Sequence, residues 1–154
     1  FGMKVLAYDK NPPEKSRNVH FTDLNGLLAE SDIISLHASY APENINLINK
    51  SAFARMKKNA VFINTARGEM VDEEALLDAL QSGRLAGAAL DVLKDETSVQ
   101  KNWLKKNPLY KYARKNSNLL LTPHIGGATY DSMARTEIFM AQKLKDWAAK
   151  NGHS

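Results

Sequence analysis

The sequence predicts an α/β fold built on an open, doubly wound parallel sheet, and three observations predict it. Short segments of aliphatic and β-branched residues alternate with helical patterns along the 154 residues. Those segments are almost continuously apolar, as a parallel sheet covered on both faces requires. The helical patterns between them carry capping residues and glycine stops, so the alternation reads as successive β-α-β units.

The strand segments are Lys4 to Tyr8, Ile33 to His37, Ala60 to Asn64, Ala86 to Val92 and Leu119 to Thr122, with a weaker one at Val19 to Phe21. Asp23 can cap a helix through Glu30, and Asn49 one through Met56, because a short side-chain oxygen satisfies an orphan amide of the first turn. The clearest helix is Asp72 to Gln81: Ala75, Leu76, Ala79 and Leu80 make one stripe, and Gly83 stands where the helix stops. Lys94 to Ser117 is irregular, polar and lysine-rich, with Pro108 inside it. It reads as a functional or inserted loop that Trp103, Leu104, Leu109, Tyr110 and Tyr112 could anchor. The last helix runs from a Thr129 cap to about Ala149, with Ala134, Ile138, Ala141, Leu144 and Ala148 as its stripe. Phe139, Met140 and Trp147 fall off that stripe, so the helix is expected to pack on another domain or subunit; scattered exposed apolar residues are the bland reading.

Composition narrows the function classes. With 44% hydrophobic and 25% charged residues the chain can bury a core as one domain. It has no cysteine, which excludes disulfides and thiolate metal sites from it and fits a reducing cytoplasm. The net charge of +4 and the lysines from Lys94 to Lys115 raise an anionic partner. No recognition motif accompanies them, so a solvated basic loop is the expectation and nucleic acid ranks low. The apolar runs are far too short for a membrane span, and no membrane partner is expected. Phe1 to Asp9 runs straight into a strand pattern with nothing like a signal peptide, which reads as the middle of something longer.

In an open parallel sheet, ligands bind beyond the carboxyl ends of the strands. Asp9, His37 to Tyr40, Thr65 to Arg67, Asp91 and His124 occupy those positions. A carboxylate at Asp9 can accept hydrogen bonds from both ribose hydroxyls of an adenosine and would repel a 2′-phosphate, favouring NAD over NADP; an acid there is also a common turn residue. Arg67, in Asn64-Thr65-Ala66-Arg67-Gly68, has a fork suited to a carboxylate, although an isolated arginine is more often a surface residue. His124 can exchange one proton near neutral pH, as interconversion of an alcohol and a ketone requires, although a lone histidine is usually structural. Glu96 could hold that imidazole and favour its protonated form, or be a solvated loop acid.

Four segments carry a resemblance: Ser31-Asp32-Ile33-Ile34-Ser35-Leu36-His37, Asn64-Thr65-Ala66-Arg67-Gly68-Glu69-Met70-Val71-Asp72, Leu85-Ala86-Gly87-Ala88-Ala89-Leu90-Asp91-Val92 and Thr122-Pro123-His124-Ile125-Gly126-Gly127. In order and spacing they resemble the D-isomer-specific 2-hydroxyacid dehydrogenases. The resemblance implies a Rossmann-like NAD-binding domain over residues 1–154, partial because its first strand and glycine-rich loop are absent. It implies NAD as cofactor and a small 2-hydroxy or 2-keto acid as substrate; a homo-oligomer is expected instead from open sheet edges and the two-sided last helix. By it Arg67 binds the substrate carboxylate and carbonyl, His124 is the acid/base and Glu96 pairs with His124. Asp9 takes the adenosine ribose, and His37, Ala38 and Ser39 form the wall beside it. Thr65, Ala66, Asp91, Gly126 and Gly127 line the nicotinamide end. Thr97 departs from the family, which has a proline soon after the acid matched by Glu96, and the Lys94 to Ser117 stretch is longer than in many members.

In the strand order expected of such a sheet the first strand is central. Without it, the strand ending at Asp9 has no neighbour joining it to the strand ending at His37, and two inner edges are left open. The isolated chain is therefore expected to fold poorly or self-associate, to bind NAD weakly and to be inactive. The alternative function is a non-enzymatic binding or assembly module.

Overall fold

Leu6–Ala7 (β1) and His20–Phe21 (β2) pair in parallel as a two-stranded sheet, Leu6 against His20 and Ala7 against Phe21. Ile33–Leu36 (β3), Ala60–Asn64 (β4), Leu85–Leu90 (β5) and Leu119–Leu121 (β6) form a second, four-stranded sheet in that order, every pair parallel. These elements belong to a computed structural model in which residues 2–14, 18–97, 102–127 and 130–150 are described. The chain divides into two units, Phe1–Thr122 and Pro123–Ser154.

The helices form where the caps predict. Leu24–Glu30 (α1) starts at Asp23, whose carboxylate accepts from the Gly26 amide at 2.6 Å. Lys50–Arg55 (α2) starts at Asn49, which accepts from Ala52 at 3.1 Å, and Glu73–Gln81 (α3) at Asp72, which accepts from Ala75 at 3.0 Å. Each bond satisfies an amide that the first turn leaves orphaned. Gly83 follows α3 with φ +70°, a left-handed conformation that suits glycine.

The irregular stretch is more ordered than its composition suggests. Trp103–Lys106 (α4) and Pro108–Ala113 (α5) are helices. Asn107 accepts from the Tyr110 amide at 3.1 Å, and Pro108 occupies the first helical position, where its missing N–H costs nothing. Of the expected anchors, Leu109 is fully buried and Trp103 and Tyr112 pack on the core, whereas Leu104 stays exposed.

The core lies on one side of the four-stranded sheet. Ile34 and Leu36 of β3, Ala60 and Phe62 of β4, Ala88 and Leu90 of β5 and Leu119 of β6 are buried with Phe53, Leu76, Leu80 and Leu109 of the helices. Phe53 and Phe62 meet edge to face, centroids 5.5 Å apart. The alternate positions are open or half-open: Ile33 is 53% exposed and Leu120 61%. This departs from the expectation of two covered faces. No backbone pairing among the described residues joins β1 to β3, as the expected strand order requires. Lys10 reaches across instead, donating to the Asn44 side chain at 3.2 Å and pairing with Glu43 at 3.4 Å.

The second unit contains Tyr130–Lys150 (α6). The expected cap Thr129 and the side chain of Ala148 lie outside the described residues. On the expected stripe Ala134 is half-buried, whereas Ile138 and Leu144 are 69% and 65% exposed. Among the described residues no helix is long and apolar enough to cross a membrane, and no cluster of His, Asp and Glu is placed to hold a metal ion.

Candidate functional site

Parallel pairing in register decides where the candidate residues go. Leu36 of β3 lies against Asn64 of β4, Asn64 against Leu90 of β5, and Leu90 against Leu121 of β6. The residues that follow these four ends, His37, Thr65, Asp91 and Thr122, therefore leave the sheet along one carboxyl rim. Asp91 is buried, and its carboxylate accepts from the Thr122 hydroxyl, which ties the ends of β5 and β6 together.

At the end of β4 a buried asparagine shapes the turn that presents Arg67. Asn64 accepts from the Ala66 amide at 2.9 Å and donates to the Arg67 carbonyl at 3.0 Å, doing inside the protein what water would do outside. Arg67 is extended and exposed, and its guanidinium donates to the Ala66 carbonyl at 2.7 Å. Thr65 is exposed beside it and Ala66 is buried. Gly68 comes next, and a Cβ built there would lie 2.1 Å from the Leu93 carbonyl carbon and 2.3 Å from the Lys94 nitrogen. Only glycine lets the Arg67 turn rest on the backbone that follows β5.

That same backbone positions Glu96. Its Oε2 accepts from the Leu93 amide at 3.2 Å, so the half-buried Glu96 is held by the segment that Gly68 packs against. Glu73, in the first turn of α3, accepts from the Lys94 amide at 2.7 Å and from the Asn107 side chain at 2.9 Å. Burial pushes the Glu73 carboxyl above its ordinary value, against the hydrogen bond from Lys94. The fold thus brings the Arg67 and Glu96 segments together through Gly68.

The remaining candidate residues of the first unit have local partners. Asp9 is exposed and accepts from the Asn11 amide at 2.8 Å, a turn bond that leaves a carboxylate further acceptor positions. His37 is exposed, with Nε2 2.8 Å from the Ser35 hydroxyl. Ala38 and Ser39 are exposed, and the Ser39 carbonyl accepts from the Asn44 side chain at 2.8 Å. Buried Asn44 therefore links the segment after β3 to Lys10, the neighbour of Asp9.

His124 falls in the second unit. It is exposed and left-handed, φ 54°, a backbone that a non-glycine residue rarely takes. Gly126 and Gly127 are exposed too; a Cβ on Gly127 would meet open space, and its carbonyl accepts from the Ser132 hydroxyl at 3.0 Å.

Sequence reasoning did not single out Asn64, Gly68, Asn44 or Glu73 for these tasks. Asn64 and Gly68 were visible beside Arg67, but their partners lie at the far end of the next β-α-β unit or inside the turn itself. Glu73 sits in the first turn of the helix that the sequence predicts after Asp72, and Asn44 lies outside every predicted element; only tertiary contacts reveal their part.

Residues 1–126 match the family of D-isomer specific 2-hydroxyacid dehydrogenase, NAD binding domain. A hydroxypyruvate reductase of Thermotoga maritima is 38% identical over 144 residues, covering 94% of this chain and 45% of the relative. A glyoxylate reductase of Thermofilum pendens is 40% identical over 148 residues, covering 94% and 41%. The solved D-lactate dehydrogenase from Aquifex aeolicus, complexed with NAD and lactic acid, superposes with TM-score 0.78 at 36% identity, over 99% of this chain and 47% of that one. The chain spans less than half the length of these relatives. Matched over most of its residues, it belongs to the D-isomer-specific 2-hydroxyacid dehydrogenase family through the NAD-binding domain.

Proposed function

We propose that this chain supplies one side of the active site of an NAD-dependent D-2-hydroxyacid dehydrogenase, which interconverts a small 2-hydroxy acid and the corresponding 2-keto acid. The observation that carries the reading is the row of strand ends on one rim, with exposed Arg67 presented by the Asn64 turn and Glu96 held by the adjoining segment. The relatives' names, hydroxypyruvate reductase and glyoxylate reductase, support small keto acids as the substrate class.

Bound NAD would accept or return a hydride at its nicotinamide. Asp9 fits the adenosine ribose, with His37, Ala38 and Ser39 as the adjoining wall, because these residues are exposed at the ends of β1 and β3. Thr65, Ala66, Asp91, Gly126 and Gly127 serve the nicotinamide end. Arg67 holds the substrate carboxylate and carbonyl through its guanidinium fork. His124 takes the alcohol proton in oxidation and returns it to the ketone oxygen in reduction, and Glu96 orients the imidazole. The eight glycines of the chain form no G-x-G-x-x-G run of amides. Helix α6 packs against another domain or subunit, since Ile138, Phe139, Leu144 and Trp147 are each more than half exposed. The same exposure favours the second reading, an assembly module without catalysis.

Two measurements test this. The 154-residue chain mixed with NADH and a panel of 2-keto acids should consume no NADH; steady consumption would overturn the predicted inactivity. Joined to the preceding half of a relative, it should turn over, with His124→Asn lowering kcat by about 10²–10⁴-fold and Arg67→Ala mainly raising KM for the keto acid. A joined protein that folds, binds NADH and never turns over would favour the assembly module.

A further inference from the structure

We propose that the surface formed by α4 and α5 is a binding site for a small anion carrying two or more phosphate groups. Lys105, Lys111, Arg114 and Lys115 line one concavity of about 380 Å3 with Tyr110 as its aromatic wall. Among the described residues no carboxylate lines it. The ion pairs found among the described residues engage Lys4, Lys10 and Lys57 instead. Glu73, which reaches the α4–α5 junction at Asn107, has its two oxygens engaged by the Lys94 amide and the Asn107 side chain.

Helix electrostatics explain part of the pattern. Lys105 lies in the last turn of α4 and Lys111 in the last turn of α5, where a cation meets the carbonyl end of a helix. That favours one cation at each end, not four around one hollow. Lys111 stands three residues from Arg114 and four from Lys115, spacings at which like charges on a helical turn repel. With no acidic side chain among the described residues of the wall, a bound polyanion is what relieves the repulsion. Arg114 offers a planar fork for two phosphate oxygens, and the lysines add mobile point charges.

The hollow is at the small end of the range for small-molecule sites. A nucleic-acid strand would want a longer cationic track with several stacking rings, and among the described residues Tyr110 is the one aromatic in this wall. Arg114 and Lys115 lead into the amino end of β6, the opposite edge of the sheet from Thr65 and Asp91. The surface is therefore separate from the carboxyl rim.

Isothermal titration of the chain with inorganic tripolyphosphate should give saturable binding that weakens as salt rises. The double change Lys111→Glu/Arg114→Glu should weaken it at least about tenfold, whereas Lys58→Glu/Lys145→Glu, with the same change in net charge, should leave it within about twofold. No saturable binding, or equal weakening by both pairs, would overturn the site. Preferential binding of a single-stranded RNA oligomer at equal phosphate concentration, lost with Lys111→Glu/Arg114→Glu, would overturn the small-anion reading in favour of nucleic acid.

Discussion

The two faces of the four-stranded sheet carry nearly the same residue chemistry and meet different fates. On one face Ile34, Leu36, Phe62, Ala88, Leu90 and Leu119 are buried beneath the helices, Phe62 completely. On the other, Ile33 and Leu120 are exposed and Val61 and Ile63 only half-buried, although each is as apolar as its neighbour one step along the strand. Hydrophobicity states how many faces a strand can bury, and packing partners decide how many it does.

Adjacent residues of β4 make the sharpest test. Phe62→Ala should cost about 3–5 kcal/mol, since it opens a cavity against Phe53. Ile63→Ala should cost about 1 kcal/mol, because a half-buried side chain loses only part of the roughly 1.5–3 kcal/mol of full burial. Urea unfolding of both variants checks this. Equal losses would mean that the open face is covered in solution, by a second copy or another segment, and would break the contrast.

Gly68→Ala tests the covered side at the rim. Its Cβ would press on the Leu93 and Lys94 backbone, with no flexible side chain available to yield. The expected cost is about 1–3 kcal/mol, with movement of the segment that carries Glu96. An Ala variant as stable as the original, with unchanged amide resonances from Leu93 to Glu96, would dissolve the link between the Arg67 and Glu96 segments. The control is Gly127→Ala, where a Cβ meets open space.

What sequence could reveal follows from how local each cause is. The caps Asp23, Asn49 and Asp72 were legible because cap and orphan amide lie three residues apart. The rim positions of His37, Thr65, Arg67 and Asp91 were legible because a parallel sheet puts every carboxyl end on one edge, whereas Asp9 follows a strand of the separate two-stranded sheet. Helices α4 and α5 were missed: lysines and one proline outweighed an Asn-Pro pair that, in hindsight, spells a cap followed by a first helical residue. The open sheet face was missed because a strand that reads apolar on both sides says nothing of whether two layers exist to cover it. Glu73 was illegible, since its partners Lys94 and Asn107 lie 21 and 34 residues away.

Glu73 also gives the smallest effect, and its sign can be worked out. Burial raises its carboxyl above the ordinary value of 4.5, partly opposed by the Lys94 amide. The folded chain then holds a proton that the unfolded chain has already released, so the Glu73 contribution is complete below the unfolded value and is lost as pH rises through the raised one. Glu73→Gln cannot ionise and can still accept from the Lys94 amide, but it sets two amide groups face to face at Asn107, a penalty that does not vary with pH. Compared by urea midpoint at low and neutral pH, the original should lose part of its advantage over Glu73→Gln as pH rises. An advantage that instead grew with pH would mean that Lys94 and Asn107 stabilise the ionised carboxylate more than burial penalises it, making the join between α3 and the rim segment an electrostatic one.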